Sequence, residues 1–388
     1  ARVEAERGRR SVVEPGVRAA DRGCERPSAG PATADAPPDP AFAPESPHRL
    51  LLEAAAPKLA FDPARPLSPQ RAALRDKLLE LLAIPEVEPG PVRVARERRA
   101  DGLLERRFVV TPEPGAAMPC HLVLPEQRPP EALVLCLQGH TSGMHISLGR
   151  AKDARDVELV AGGRDYARQA TARGLAALAV ELRGFGERRD RRPPWLRDRS
   201  AERDPLDPNA TCRHAAMVAL LLGRTSLGEK ILDLRAALAA LRGFPETRDL
   251  PVWALGNSGG GTLAWYLASV EPSIAGLVLG SCFATFASSL GAIDHCCDNY
   301  LPGALRWFDF PDLALLVAPR PLVVVQGEDD PLFPAEGVRA AFARARAIYA
   351  AAGALDRCRL VLCPGGHRFY PEEAWTAFAE LFDRRAAA

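Results

Sequence analysis

The chain runs to 388 residues, carries 50 Lys and Arg against 49 Asp and Glu for a formal charge of +1, and is 47% hydrophobic. That hydrophobic share excludes wholesale disorder, and the near-zero charge argues against electrostatic capture of nucleic acid or an anionic membrane. No apolar run reaches the roughly 18–20 residues that a bilayer span needs, so no membrane partner is expected.

Residues 1–47 are rich in Pro, Ala, Arg and Glu, without a persistent hydrophobic period, and read as a disordered or linker segment. Residues 48–103 read as an N-terminal helical cover element, its helix at 69–83, where PQRAALRDKLLELLA repeats apolar side chains at helical spacing. From 104 to 388 the pattern becomes that of a catalytic domain. LERRFVV (104–110) and MPCHLVLP (118–125) form an antiparallel opening pair across a Pro/Gly turn. Apolar strands follow at 132–139, 175–184, 252–258, 274–281, 321–327 and 359–366, alternating with helices near 164–173, 212–243, 260–270, 335–352 and 371–385. About eight strands, nearly continuous in hydrophobicity and joined by helical crossovers, predict an α/β fold with a mostly parallel sheet covered on both faces. Two insertions, 187–210 and 283–318, leave the C-terminal ends of strands, where open α/β sheets bind ligands.

Nine cysteines, an odd number with no C-x-x-C pair, point to a reducing compartment and no disulfide framework. With no secretory leader pattern at the start of the sequence, a cytoplasmic location is expected. His295, Cys296 and Cys297 sit together, but adjacent Cys residues without a second spaced pair make a poor zinc signature, so no metal is expected.

The strongest motif is Gly256-Asn257-Ser258-Gly259-Gly260, set between an apolar strand and the helix-compatible run GTLAWYLASV. This G-x-S-x-G at a strand-to-helix turn is the setting of a nucleophile elbow, which lifts the Ser258 hydroxyl clear of the sheet. A serine hydroxyl needs a base, and the base needs an orienting acid. Past the next strands the chain supplies both: Glu328, Asp329 and Asp330 after one, His367 after the last. Acyl transfer also needs donors for the developing oxyanion. The backbone N–H groups of Gly259 and of His140, in the loop after LVLCL, are the candidates by position.

The carrying residues LCLQGHTSG, Arg183-Gly184-Phe185-Gly186, GNSGGG, GEDDPLFP and GGHRF, with the helix around Asp233, resemble the α/β-hydrolase superfamily. Within it, the stretch from about 104 to 385 resembles the dienelactone-hydrolase-like and acetyl-xylan-esterase-like branch of serine esterases. The resemblance implies an α/β-hydrolase fold and a triad of Ser258, Asp330 and His367. Asp330 is favoured because the pattern G-x-x-D-x-x-hydrophobic-P falls on Gly327, Asp330, Phe333 and Pro334. It also implies a structural clamp at Arg183, no cofactor, and a small-molecule ester as the partner, short-acyl or an acetylated carbohydrate. Gln138-Gly139 stands where the branch usually has His-Gly. The aromatics Trp195, Tyr300 and Trp307, with His295, are expected to line the substrate pocket. Peptidase, amidase or C–C bond hydrolase chemistry on the same sheet stays open, as does a catalytically silent binding module. Oligomeric state is not legible.

Overall fold

A computed structural model describes residues 45–141, 143–189 and 212–386. Nine strands form one sheet: β1 (Arg93–Ala100), β2 (Leu103–Glu113), β3 (Ala116–Pro125), β4 (Leu133–Leu137), β5 (Ala176–Val180), β6 (Val252–Asn257), β7 (Ile274–Gly280), β8 (Leu322–Gly327) and β9 (Cys358–Cys363). Their order is β1-β2-β3-β5-β4-β6-β7-β8-β9. β1, β2 and β3 pair antiparallel, β3 is antiparallel to β5, and β5 through β9 run parallel. From β4 the chain steps back to β5 on one side and then forward to β6 on the other. That reversal opens a crevice at the C-terminal ends of β4 and β6.

The sequence reading expects about eight strands and starts the catalytic domain at 104. The sheet instead begins at Arg93. β1 is RVARERRA, exposed along nearly its whole length, so no apolar alternation betrays it. Its charges suit an edge strand, where they discourage pairing with a second chain. The segment 48–103 is therefore helical only in part, with helices at Glu45–Glu53 and Leu67–Leu82. The second buries Leu74, Leu78 and Leu82, spaced four residues apart on one stripe.

The remaining core is laid on both faces of the sheet. Along β8, Leu322 and Val324 join the larger cluster with the helices Ser226–Leu241, Gly259–Val270 and Ala335–Ala351. Val323 and Val325 join the smaller one with Tyr166, Trp253 and Phe378. The single helix expected over 212–243 is two, Cys212–Leu221 and Ser226–Leu241. Thr225 caps the second, its Oγ1 accepting from Gly228 N at 2.9 Å and donating to Leu82 O at 2.6 Å. Residues 1–44 of the linker segment and 190–210 of the first insertion lie outside the described residues, and Trp195 with them.

Candidate active site

Ser258 follows β6 directly and is the residue before the helix Gly259–Val270. Its φ of 56° and ψ of −128° lie where a non-glycine residue is strained, at the sharp turn a nucleophile elbow requires. Close approach of neighbouring backbone permits only glycine around it. A Cβ on Gly260 would lie 2.1 Å from Leu137 O, and one on Gly139 would lie 2.7 Å from Asn257 O and 3.2 Å from Ser258 Cβ. The loop after β4 is thus pressed onto the elbow, with Gly139 and the His140 ring against Gly259. The Ser258 backbone N–H donates to Gly280 O at 2.8 Å.

His367 follows β9. Its Nδ1 lies 2.8 Å from Asp330 Oδ2. Asp330 is held on every side: Gln326 Nε2 donates to Oδ2 at 2.9 Å, and Leu332 N and Phe333 N donate to Oδ1 at 2.9 and 3.2 Å. Burial works against its charge, but these donors and His367 outweigh it and hold the carboxyl below the usual aspartate range. Asp329 and Glu328 are exposed, and Glu328 pairs with Arg339. The ring of Phe333 stacks near His367, centroids 5.9 Å apart, and Ser281 Oγ donates to Arg368 O at 2.9 Å, bracing the histidine loop.

Ser258 and His367 line one cavity of about 360 Å³ with His140, His295, Leu332 and Arg164 among its walls. A larger hollow of about 530 Å³ lies between residues 84–89 and the helix Ser226–Leu241, with neither a serine nor a histidine in its lining. His295 is among the cavity walls. Burial, helped by the nearby His140 charge, pushes its ring down to about 4, so it is neutral at neutral pH. The Asn299 amide lies 3.1 Å from Nδ1, and Nε2 is buried without a partner.

Tyr300 and Trp307 do not line this cavity. Tyr300 is 40% exposed and donates to Leu290 O at 2.8 Å. Trp307 lies beneath the N-terminal cover, with Lys58 and Lys77 Nζ at 5.0 and 4.1 Å from its ring centroid. Aromatics in an insertion carry no signal of direction, and these two pack beside the site instead of into it.

Arg183 follows β5 and ties its loop to β2 and the helix Ser226–Leu241. It pairs with Asp233 through two bonds of 2.8 and 2.9 Å, with Glu113 at 2.8 Å and with Glu229 at 3.2 Å. Gln138 braces the loop after β4: its Nε2 donates to Ser147 Oγ at 2.6 Å and Arg164 O at 2.8 Å.

The expectation of no metal rests on spacing along the chain, and the folded chain alters its premise. His140, Cys212, Cys296 and Asp298 bring four ligand atoms within 4.8 Å of one another. Cys297 and His295, singled out with Cys296 in the sequence, are not in that set.

No protein-family model matches the chain. The "Putative hydrolase YtaP" of Bacillus subtilis (strain 168) is 26% identical over 309 residues, 76% of this chain and 94% of that one. A solved structure described as a "putative acetyl xylan esterase" from Bacteroides fragilis NCTC 9343 superposes with a TM-score of 0.68 at 19% identity, covering 83% of this chain and 82% of its own. The glucuronoyl esterase from Solibacter usitatus gives 0.60 at 14% identity, covering 85% and 98%. The mostly parallel sheet with its antiparallel start, the elbow after β6 and this likeness to esterase structures make the fold that of the α/β hydrolases.

Proposed function

We propose that the protein is a serine hydrolase of carboxylic esters that works through an acyl-Ser258 intermediate. One observation carries the reading: a strained serine at a strand-to-helix elbow shares a cavity with a histidine whose far nitrogen rests on a buried, fully satisfied aspartate. Asp330 fixes the proton on His367 Nδ1, leaving Nε2 free to accept the proton of Ser258. Ser258 Oγ then attacks the ester carbonyl. The oxyanion is met by the N–H groups of Gly259 and His140, the first helped by the positive end of the helix that starts there. His367 returns the proton to the departing alcohol. Water hydrolyses the acyl-serine with His367 again as base. The sheet from Arg93 onward carries the whole reaction in this reading, with Arg183 as a structural clamp.

A cavity of about 360 Å³ suits a short acyl group better than a fatty chain. The polar side chains of Arg155, Arg164, Asp294 and His295 in its lining suit a hydroxylated alcohol moiety. Acetylated carbohydrate is therefore the substrate class, in line with the names of the structural neighbours. Among the described residues no helix is long and apolar enough to cross a membrane.

The test is a panel of p-nitrophenyl esters of rising acyl length, set against aminoacyl anilides and acetylated xylo-oligosaccharides, with wild type and Ser258→Ala. Turnover of the short esters should fall by several orders of magnitude in the variant, since triad members act as a unit. A serine-directed phosphonate should label Ser258 alone. Anilide turnover above ester turnover, or activity surviving in Ser258→Ala, refutes the reading.

A further inference from the structure

Behind the oxyanion loop lies a second cluster that the esterase reading does not use. His140 Nε2 and Asp298 Oδ1 face each other at 3.4 Å, and both atoms are buried without a hydrogen bond. Their side chains are 10% and 4% exposed. Cys212 Sγ and Cys296 Sγ lie 3.3 Å apart in the same place. Three separate elements converge here: the loop after β4, the start of the helix Cys212–Leu221, and the segment after β7.

We infer that His140, Cys212, Cys296 and Asp298 form a tetrahedral site for a thiophilic divalent cation, zinc by preference, that locks the oxyanion loop to its surroundings. Bonds of about 2.0–2.3 Å to N, O and S set tetrahedral edges of about 3.3–3.8 Å. The 3.4 Å His–Asp separation falls on such an edge, and the thiol pair, at 3.3 Å, need open by only about 0.5 Å to reach the S–S edge. Two buried polar atoms that face each other without a hydrogen bond are what an ion between them would satisfy. The donor set of two sulfurs, an imidazole and a carboxylate selects zinc over magnesium or calcium.

The surroundings complete the case. Lys230 Nζ holds the other carboxylate oxygen, Asp298 Oδ2, at 2.5 Å, leaving Oδ1 to point inward. With both thiols ionised, the three negative charges are balanced by Lys230 and a dication together. Phe185 shields the group, its ring meeting His140 edge-on at 5.4 Å. Metal and proton compete for Nε2, so uptake weakens as pH falls. A cation on Nε2 also leaves the ring proton on Nδ1. That atom lies 3.4 Å from where a Cβ on Gly259 would sit, beside the proposed oxyanion donors.

The experiment uses the full chain, reduced and stripped with a chelator, and does not depend on its activity. Cobalt(II) titration should saturate at one equivalent per chain, with thiolate-to-cobalt charge-transfer absorption and the d–d bands of a tetrahedral ion. Zinc should displace it and raise the melting temperature by several degrees. Cys212→Ser/Cys296→Ser should lose the charge-transfer band, whereas Cys297→Ser keeps it. Should the double variant fail to fold, alkylation of wild type mapped by mass spectrometry replaces it: zinc should slow labelling of Cys212 and Cys296 about tenfold or more relative to Cys297. The proposal is overturned if the reduced chain takes up no cobalt, if the band survives in the double variant, or if zinc protects neither cysteine. A Cys212–Cys296 disulfide forming in place of metal uptake overturns it equally. Loss of the esterase reading would show in the Ser258→Ala assays and leave these measurements untouched.

Discussion

Asp330→Asn is the sharpest test of the candidate triad, because the hydrogen bonds around the carboxylate dictate how asparagine must sit. Oδ1 accepts from two backbone N–H groups, those of Leu332 and Phe333. Asparagine keeps both bonds only by placing its carbonyl oxygen there. Its NH₂ then occupies the Oδ2 position and meets two donors, Gln326 Nε2 and the His367 Nδ1 proton. Turning the amide over would instead set NH₂ against two backbone N–H groups. The cheaper outcome is that His367 moves its proton to Nε2 and accepts at Nδ1, which removes the lone pair that should take the Ser258 proton. In other Ser-His-Asp sites this wrong tautomer costs about 10³–10⁴ in kcat, or about 4–5.5 kcal/mol of barrier. The donor facing Gln326 adds about 1–3 kcal/mol of lost stability. The assay is kcat on p-nitrophenyl acetate, normalised to phosphonate-titrated sites, with urea unfolding in parallel. Asp329→Asn is the control, since Asp329 is exposed, and it should change kcat less than about twofold. A kcat within tenfold of wild type for Asp330→Asn, or a larger loss for Asp329→Asn, refutes the assignment.

Three further outcomes follow from the geometry. Gly139→Ala puts a methyl 2.7 Å from Asn257 O, so the oxyanion loop must retreat, and kcat should fall about 10²–10³ while KM changes little; single-turnover kinetics on p-nitrophenyl acetate check this. Arg183→Ala strands Asp233 and Glu229 with only Arg188 and Arg224 to answer them, and should cost about 3 kcal/mol by urea unfolding, where less than 1 kcal/mol would show the clamp to be idle. Burial pushes both His121 and His295 down to about 4, so the unfolded chain takes up protons first as the pH drops. Their contribution is intact above about 6.5 and is lost between there and about 4, up to about 3 kcal/mol each. Glu181, raised to about 7 by burial, acts in the opposite sense over the same range. His121→Gln/His295→Gln should therefore flatten the fall in melting temperature from pH 7 to 5, and an unchanged slope would refute the two histidines as its source.

What the sequence disclosed and what it hid divide along one physical line. A strand buried on both faces must be apolar throughout, so β4 to β8 stand out as runs of Leu, Val and Ala, and whatever follows them is placed at the sheet edge by the topology alone. Ser258, Asp330 and His367 are legible for that reason, each lying just past a strand end. β1 escapes because an exposed edge strand needs no apolar side chain at all. The break in the helix over 212–243 had a signal, Gly223 followed by Thr225 at the cap position, but the continuing apolar period masked it. The side chains that meet behind the oxyanion loop are harder in kind. Cys212 and Cys296 are 84 residues apart, and His140 comes from a third element, so no spacing rule along the chain could join them. Local spacing reveals a metal site only when one turn or one hairpin supplies most of the ligands. When helix start, loop and strand end each give one or two, the fold alone does the assembling. The same reasoning explains Trp307: its apolar ring needed cover, and the helix Leu67–Leu82 with Lys77 supplied it, leaving the cavity beside Ser258 to the smaller side chains of Leu159, Pro331, Leu332 and His295.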